Sequence, residues 1–195
     1  MKCLSGVFFA LFALTAAQAQ SSWMVDPGHS NIRFTVTHMM ISEVDGEFKT
    51  FTGSVTSNSD DFSGASVEFT ADVNSVNTGN ERRDGHLKSD DFFNADKFPQ
   101  IKFSGTIQKE GSDYYLVGEF TMRDVTKPVK FPVKYNGTIS GGMGRKAGFK
   151  VMGTVNRFDY GLQWNRAMEA GGVVVGPDVE ITCNVELNEK KEGSN

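Results

Sequence analysis

The sequence predicts an all-β fold, an antiparallel barrel of about eight or nine strands with one or two short helices. Three observations predict it. Apolar and polar residues alternate with period two in run after run. Turn residues separate the runs. So many half-buried strands leave no exposed edge only if the sheet closes on itself.

The first residues stand apart from this rhythm. Lys2 precedes an apolar run from Leu4 to Leu14, and Ala17-Gln18-Ala19 supplies a small-x-small cleavage pattern. Residues 1–19 are expected to be a cleaved secretory signal peptide, with the barrel domain at 20–188 and a polar tail at 189–195. The apolar run is shorter than the roughly 20 residues that span a bilayer. Cys3 lies before the run, where a lipoprotein cysteine would follow it. Cleavage then leaves Cys183 alone, on the apolar side of the alternation from Val179 to Leu187, where a buried, inert thiol is expected.

The strands follow in order. Ile32, Phe34, Val36 and His38 alternate with Arg33, Thr35 and Thr37, and a less regular strand fits Phe48 to Thr56, with a phase slip after Phe48 that suggests a bulge. Val67 to Val73, Ile101 to Ile107, Tyr114 to Met122, Val129 to Tyr135, Phe149 to Val155 and Val179 to Leu187 complete the set. Glu110-Gly111-Ser112-Asp113, Asn136-Gly137, Ser140-Gly141-Gly142 and Gly171-Gly172 offer the positive φ that tight hairpins require. Gly53, Gly105, Gly118 and Gly153 fall inside strand patterns, where glycine marks bends or a close approach. The charge-dense stretch from Asn77 to Phe93 breaks the rhythm. Asn80 is expected to cap one short helix there and Ser89 a second.

Composition narrows the function. A net charge of -4 and a pI near 5.4 exclude the basic face that nucleic-acid binding needs. The 16 Phe, against 2 Trp and 4 Tyr, ask for apolar rings without polar handles. Only three histidines are present, without H-E-x-x-H or C-x-x-C spacing, so no metal or cofactor is expected. Asp84, His86 and Ser89 have the residue types of a hydrolytic triad. They crowd within six residues, however, with no G-x-S-x-G elbow, so helix caps and solvated charges explain them better and no catalytic residue is assigned. Asn136-Gly137-Thr138 matches a glycosylation sequon but reads better as a hairpin turn.

The apolar face remains. Its inward positions include Phe34, Val36, Phe69, Phe103, Phe120, Phe131, Phe149, Val151 and Ile181. These rings either pack a solid core or line a cavity for a long apolar molecule. Ten buried CH₂ groups would contribute about 8 kcal/mol before ordering costs. His38 is either a rim histidine at a strand end or a polar group facing a ligand head.

Several stretches together resemble the YceI-like family of periplasmic proteins. They are Val25-Asp26-Pro27-Gly28-His29-Ser30-Asn31-Ile32-Arg33-Phe34, Val44-Asp45-Gly46-Glu47-Phe48, the run from Asn80 to Phe93 with Lys97-Phe98-Pro99, Asp124-Val125-Thr126-Lys127-Pro128-Val129, and Val175-Gly176-Pro177-Asp178-Val179. The similarity covers about Trp23 to Leu187; Asp124 stands at a turn where many members carry Gly. The resemblance implies a lipocalin-like barrel whose tunnel holds an isoprenoid or other long-chain amphiphile. Polyisoprenoid, quinone-like and fatty-amide lipids are the implied ligands, and a homodimer is an implied assembly. The nine inward residues then become the lining, with His38, Arg82, Asp84, His86, Lys88 and Ser89 as candidates for the mouth. The expected function is a periplasmic lipid-binding protein that transports, stores or protects its ligand without bond chemistry. The alternatives are an enzyme on a lipid substrate with His and Asp in acid–base roles, and a solid-core interaction or stress-response module.

Overall fold

The computed structural model describes residues 20–142, 144–169 and 171–190, so the expected signal peptide at 1–19 lies outside the described residues. Its strands are β1 (Ser21–Val25), β2 (Asn31–His38), β3 (Ser42–Phe48), β4 (Phe51–Ser57), β5 (Ser66–Asp72), β6 (Val76–Asn77), β7 (Gln100–Glu110), β8 (Asp113–Met122), β9 (Val125–Gly141), β10 (Gly144–Asn156) and β11 (Val175–Glu189). Helix α1 (Glu81–Lys88) lies between β6 and β7, and short 3-10 turns occupy Val73–Ser75 and Arg157–Tyr160.

All the strands form one antiparallel sheet in the order β1-β4-β5-β7-β8-β9-β10-β11-β2-β3-β6, and β1 closes it by pairing with β11. β1 and β2 share one edge of β11, one beyond the other. β3 runs on into β4, and β6 carries β5 past its 3-10 turn to pair with β3. The eleven segments therefore make a closed eight-stranded meander, as the alternation predicts.

Local readings differ in instructive ways. The phase slip after Phe48 is a break, not a bulge: β3 ends, and the Lys49 and Thr50 N–H groups turn to the Ser75 carbonyl and Ser75 Oγ. The neighbouring strand is interrupted at the same level, so the wall bends with its backbone satisfied. Asn136-Gly137 is a bulge inside β9, not a turn. Gly148 pairs with Gly137 and Phe149 with Tyr135, leaving Asn136 as the extra residue, with Gly137 at φ 110. β1 escapes period-two reading because Trp23 is its single buried residue. Ser89 caps no second helix; it ends α1, donating from Oγ to the His86 carbonyl at 2.7 Å. Asn80 does cap α1, accepting from the Arg83 N–H at 3.1 Å. Glu189, expected in the tail, pairs with Trp23, and the Lys190 N–H bonds to the Ser22 carbonyl.

The glycines inside strands explain the interior. A Cβ at Gly46 would overlap the Phe34 ring, one at Gly153 the Phe131 ring, and one at Gly105 or Gly118 both the opposing glycine and the Phe103 ring. The rings lie back against the wall over these glycines instead of filling the axis. One end of the barrel is closed by aromatic rings. Phe62 meets Trp23, Phe149 and Tyr135 with centroids 5.1, 5.0 and 5.7 Å away, and Trp23 and Phe62 are each 1% exposed. Phe62 reaches this place from the β4–β5 loop at φ 61.

A polar clasp fastens the seam near this end. Asp26, between β1 and β2, meets His29 Nδ1 and Asn188 Nδ2 at 3.0 Å each and the Gly28 N–H at 2.9 Å. Lys146 Nζ joins Glu186 at 2.7 Å and stands 3.6 Å from Asp26. Asp26, His29 and Glu186 converge as metal ligands could, but their oxygens are already engaged by Lys146 and Asn188.

Two outcomes follow from this frame. Gly118→Ala drives a methyl into the Ser104 carbonyl and Gly105, so the urea midpoint should fall by an equivalent of about 1–3 kcal/mol. The His29 hydrogen bond, then that of Asn188, holds the Asp26 carboxyl well below the usual carboxylate range. Its stabilising contribution is therefore complete above about pH 4 and is lost as pH falls through the depressed folded value. Thermal unfolding scans should show a shallower acid-side decline in Asp26→Asn than in the parent chain.

Candidate functional site

Period-two strands put one set of side chains inside the barrel, and the glycines hold the rings off the axis. The result is an inner cavity of about 210 Å³ walled by apolar side chains from nearly every strand. Phe34, Val36, Phe69, Phe103, Phe120, Phe131, Phe149, Val151 and Ile181 all face it. Cys183 does too: burial pushes its thiol up to about 12, which leaves it a protonated, unreactive part of the wall.

At the end opposite the Trp23–Phe62 closure, a second space of about 450 Å³ opens outward. Phe34, Val36, Leu87, Phe92 and Val175 line both spaces, so the second is the mouth of the first. Its polar rim comes from Thr78, Asn80, Arg82, Arg83 and His86 around α1 and from Thr37 and His38 at the end of β2. The β2–β3 turn finishes the lip with Met39 and Met40 in left-handed conformations and Ile41 87% exposed.

The mouth candidates divide. His38, Arg82 and His86 line it, whereas Asp84, Lys88 and Ser89 do not. Asp84 is buried, and one of its oxygens accepts from the Thr78 N–H at 2.9 Å and Thr78 Oγ1 at 2.6 Å, tying α1 to the end of β6. Ser89 is engaged as the helix cap. His86 stands edge-on to Phe92 and Trp164, with ring centroids 5.0 Å away in each case, and its Nε2 lies 2.8 Å from Asp91 Oδ2. Sequence reasoning passed over Trp164, and it covered Arg83 only as part of the Arg82 to Ser89 segment without singling it out. A lone tryptophan just beyond the last 3-10 turn was the available signal for the first.

Arg157, missed as well, organises the lip. Only 2% exposed, it donates to the carbonyls of Leu162, Trp164, Gly176 and Val175 at 2.6, 2.9, 2.8 and 3.1 Å. Its guanidinium stacks 4.4 Å from the Phe158 ring. Burial lowers its pKa, yet the ordinary value is so high that the group stays charged. Four carbonyl dipoles stand in for a counter-ion and pin both ends of the 165–174 loop. A lysine offers a point charge, not a planar fork. Arg157→Lys should therefore lower stability by more than about 2 kcal/mol and red-shift Trp164 emission. Denaturation followed by tryptophan fluorescence measures both.

Comparisons with known proteins agree with this geometry. The YceI-like domain signature matches residues 23–187. A UPF0312 protein of Staphylococcus aureus strain MSSA476 is 37% identical over 170 residues, covering 86% of this chain and 98% of its own length. Among solved structures, the Campylobacter jejuni YCEI protein is 27% identical with a TM-score of 0.64, covering 80% of this chain and 90% of that one. BcnA of Burkholderia cenocepacia has a TM-score of 0.70 at 21% identity, over 83% of this chain and 98% of its own. A polyisoprenoid binding domain from Saccharophagus degradans, implicated in plant cell wall breakdown, shares the fold at 14% identity and a TM-score of 0.64, over 86% and 98%. With a signature spanning nearly all of the described barrel and a relative matched along almost its full length, the chain belongs to the YceI-like family.

Proposed function

We propose that this protein binds a long-chain isoprenoid or similar amphiphilic lipid, with the tail in the barrel and the head at the mouth. One observation carries the reading: an apolar cavity, closed at one end by rings, opens through shared walls into a polar-rimmed mouth. Such a space offers a tail dispersion contacts and freedom from water along its length, and places polar groups where the tail ends. The fold shared with a polyisoprenoid binding domain supports the reading. The role is one of binding without bond chemistry. The protein works in the periplasm after loss of residues 1–19, transporting, storing or protecting its ligand.

Organic extraction of protein purified from the periplasmic fraction, followed by mass spectrometry, should yield a long-chain lipid in near-stoichiometric amount. Val151→Trp fills the inner cavity from a lining position and should reduce affinity for supplied polyprenols at least tenfold, with native circular dichroism retained. An empty extract together with no binding of supplied lipids would sink the proposal.

A further inference from the structure

The barrel hides most of its large apolar side chains, with one concentrated exception. Among the described residues the exposed ones are Met24, Met39, Met40, Ile41, Ile139 and Met152. Three of these are consecutive and form the β2–β3 turn, where Met39 is 44%, Met40 62% and Ile41 87% exposed. None of the three lines the inner cavity or the mouth, so a bound tail does not account for them. They stand beside the opening all the same, because His38 and Val44, on the two strands below the turn, both line the mouth.

The turn is held in that place. The Met39 N–H bonds to the Val174 carbonyl at 2.8 Å, and the Ile41 N–H and Ser42 Oγ each donate to the His38 carbonyl at 3.2 Å. Val174 in turn donates its N–H to the Arg166 carbonyl at 3.0 Å, which joins the turn and the 165–174 loop into one lip. Methionines meet across it: a Cβ at Gly172 would come within 3.1 Å of Met40 and 3.5 Å of Met168. The lip thus projects apolar side chains from backbone groups that are already paired. That is the condition for entering a medium poor in water.

The size and charge of the lip say what covers it. A stable contact between proteins takes about 800 Å² and roughly 20–30 residues on each side, and one turn with a methionine beside it falls short. Charges of both signs flank the lip, exposed Arg82 and Arg166 against exposed Glu43 and Glu169, so no net field selects a charged partner. A bilayer requires neither a matching surface nor a charge. It accepts projecting apolar side chains at the depth of its head groups, and unbranched methionines adapt to irregular surroundings. The lip also stands where an amphiphile has to pass between membrane and cavity.

Resting on the lipid-binding reading above, we infer that the β2–β3 turn docks the open end of the barrel on a lipid bilayer, with Met40 and Ile41 in the head-group layer.

The test uses the full mature protein. Because Cys183 is a buried, protonated thiol, a cysteine placed on the surface takes a thiol-reactive, polarity-sensitive dye alone. The dye is attached to Ile41→Cys and, in a second protein, to Ile139→Cys, which is 70% exposed beside the seam at the closed end. Vesicles of phosphatidylethanolamine with phosphatidylglycerol should blue-shift the dye at position 41 and leave the dye at position 139 unchanged. In an unlabelled protein, Met40→Ser with Ile41→Ser should slow transfer of a fluorescent prenol between vesicles at least about tenfold, with its equilibrium affinity unchanged. No shift at position 41, equal shifts at both positions, or unslowed transfer overturns the docking and leaves the lipid cavity standing. A shift at position 41 that needs no vesicles and grows with protein concentration would make the lip a contact between copies and overturn the bilayer. Failure of the prenol to bind at all overturns the lipid-binding reading, while the dye still reports whether the open end meets a membrane.

Discussion

A phenylalanine ring pointing into a small barrel meets the rings of the opposite wall unless it has somewhere else to lie. Here glycine provides that place: Phe34 over Gly46, Phe131 over Gly153, and Phe103 over Gly105 and Gly118. Each pairing trades a Cβ on one strand for a ring folded back from its neighbour, so the wall is densely packed while the axis stays open. The cavity, and every consequence of there being one, depends on this exchange. With alanines at those positions the same alternation would force the rings toward the axis.

The two ends are finished differently, and that asymmetry gives the barrel a direction. Aromatic packing around Phe62 closes one end without polar cost, while the seam beside it is clasped by Asp26, Lys146 and Glu186. The opposite end cannot close in the same way, because α1, the β2–β3 turn and the 165–174 loop all arrive there with polar backbone to satisfy. Arg157 meets much of that need by gathering four carbonyls. Asp84 and Thr78 do the same for the helix, and the groups left over face the mouth.

Much of the wall was legible from residue order. Strict alternation assigns each side chain to a face whatever its partner strand, which is why Phe34, Phe103 and Ile181 could be placed inside before any pairing was known. The mouth was harder. Asp84, Lys88 and Ser89 share a short helical segment with Arg82 and His86, and eight helical residues point in every direction. Their number in sequence says little about which of them turn toward a cavity. Arg157 and Trp164 act through carbonyls and rings supplied by other segments, so no local pattern announces them.

By itself the sequence determined the fold class, the meander, the inward set of residues and the cap at Asn80, because these follow from short-range periodicity and local backbone chemistry. Tertiary structure decided that the strands break together at Phe48 and at the Val73–Ser75 turn, that Asn136-Gly137 is a bulge, and that the rings recline over glycines. It also decided that Arg82 and His86 face the mouth while Asp84 and Lys88 do not. Each of these depends on what a neighbouring strand or loop presents at the same level, and register between segments far apart in sequence is a property of the closed sheet alone.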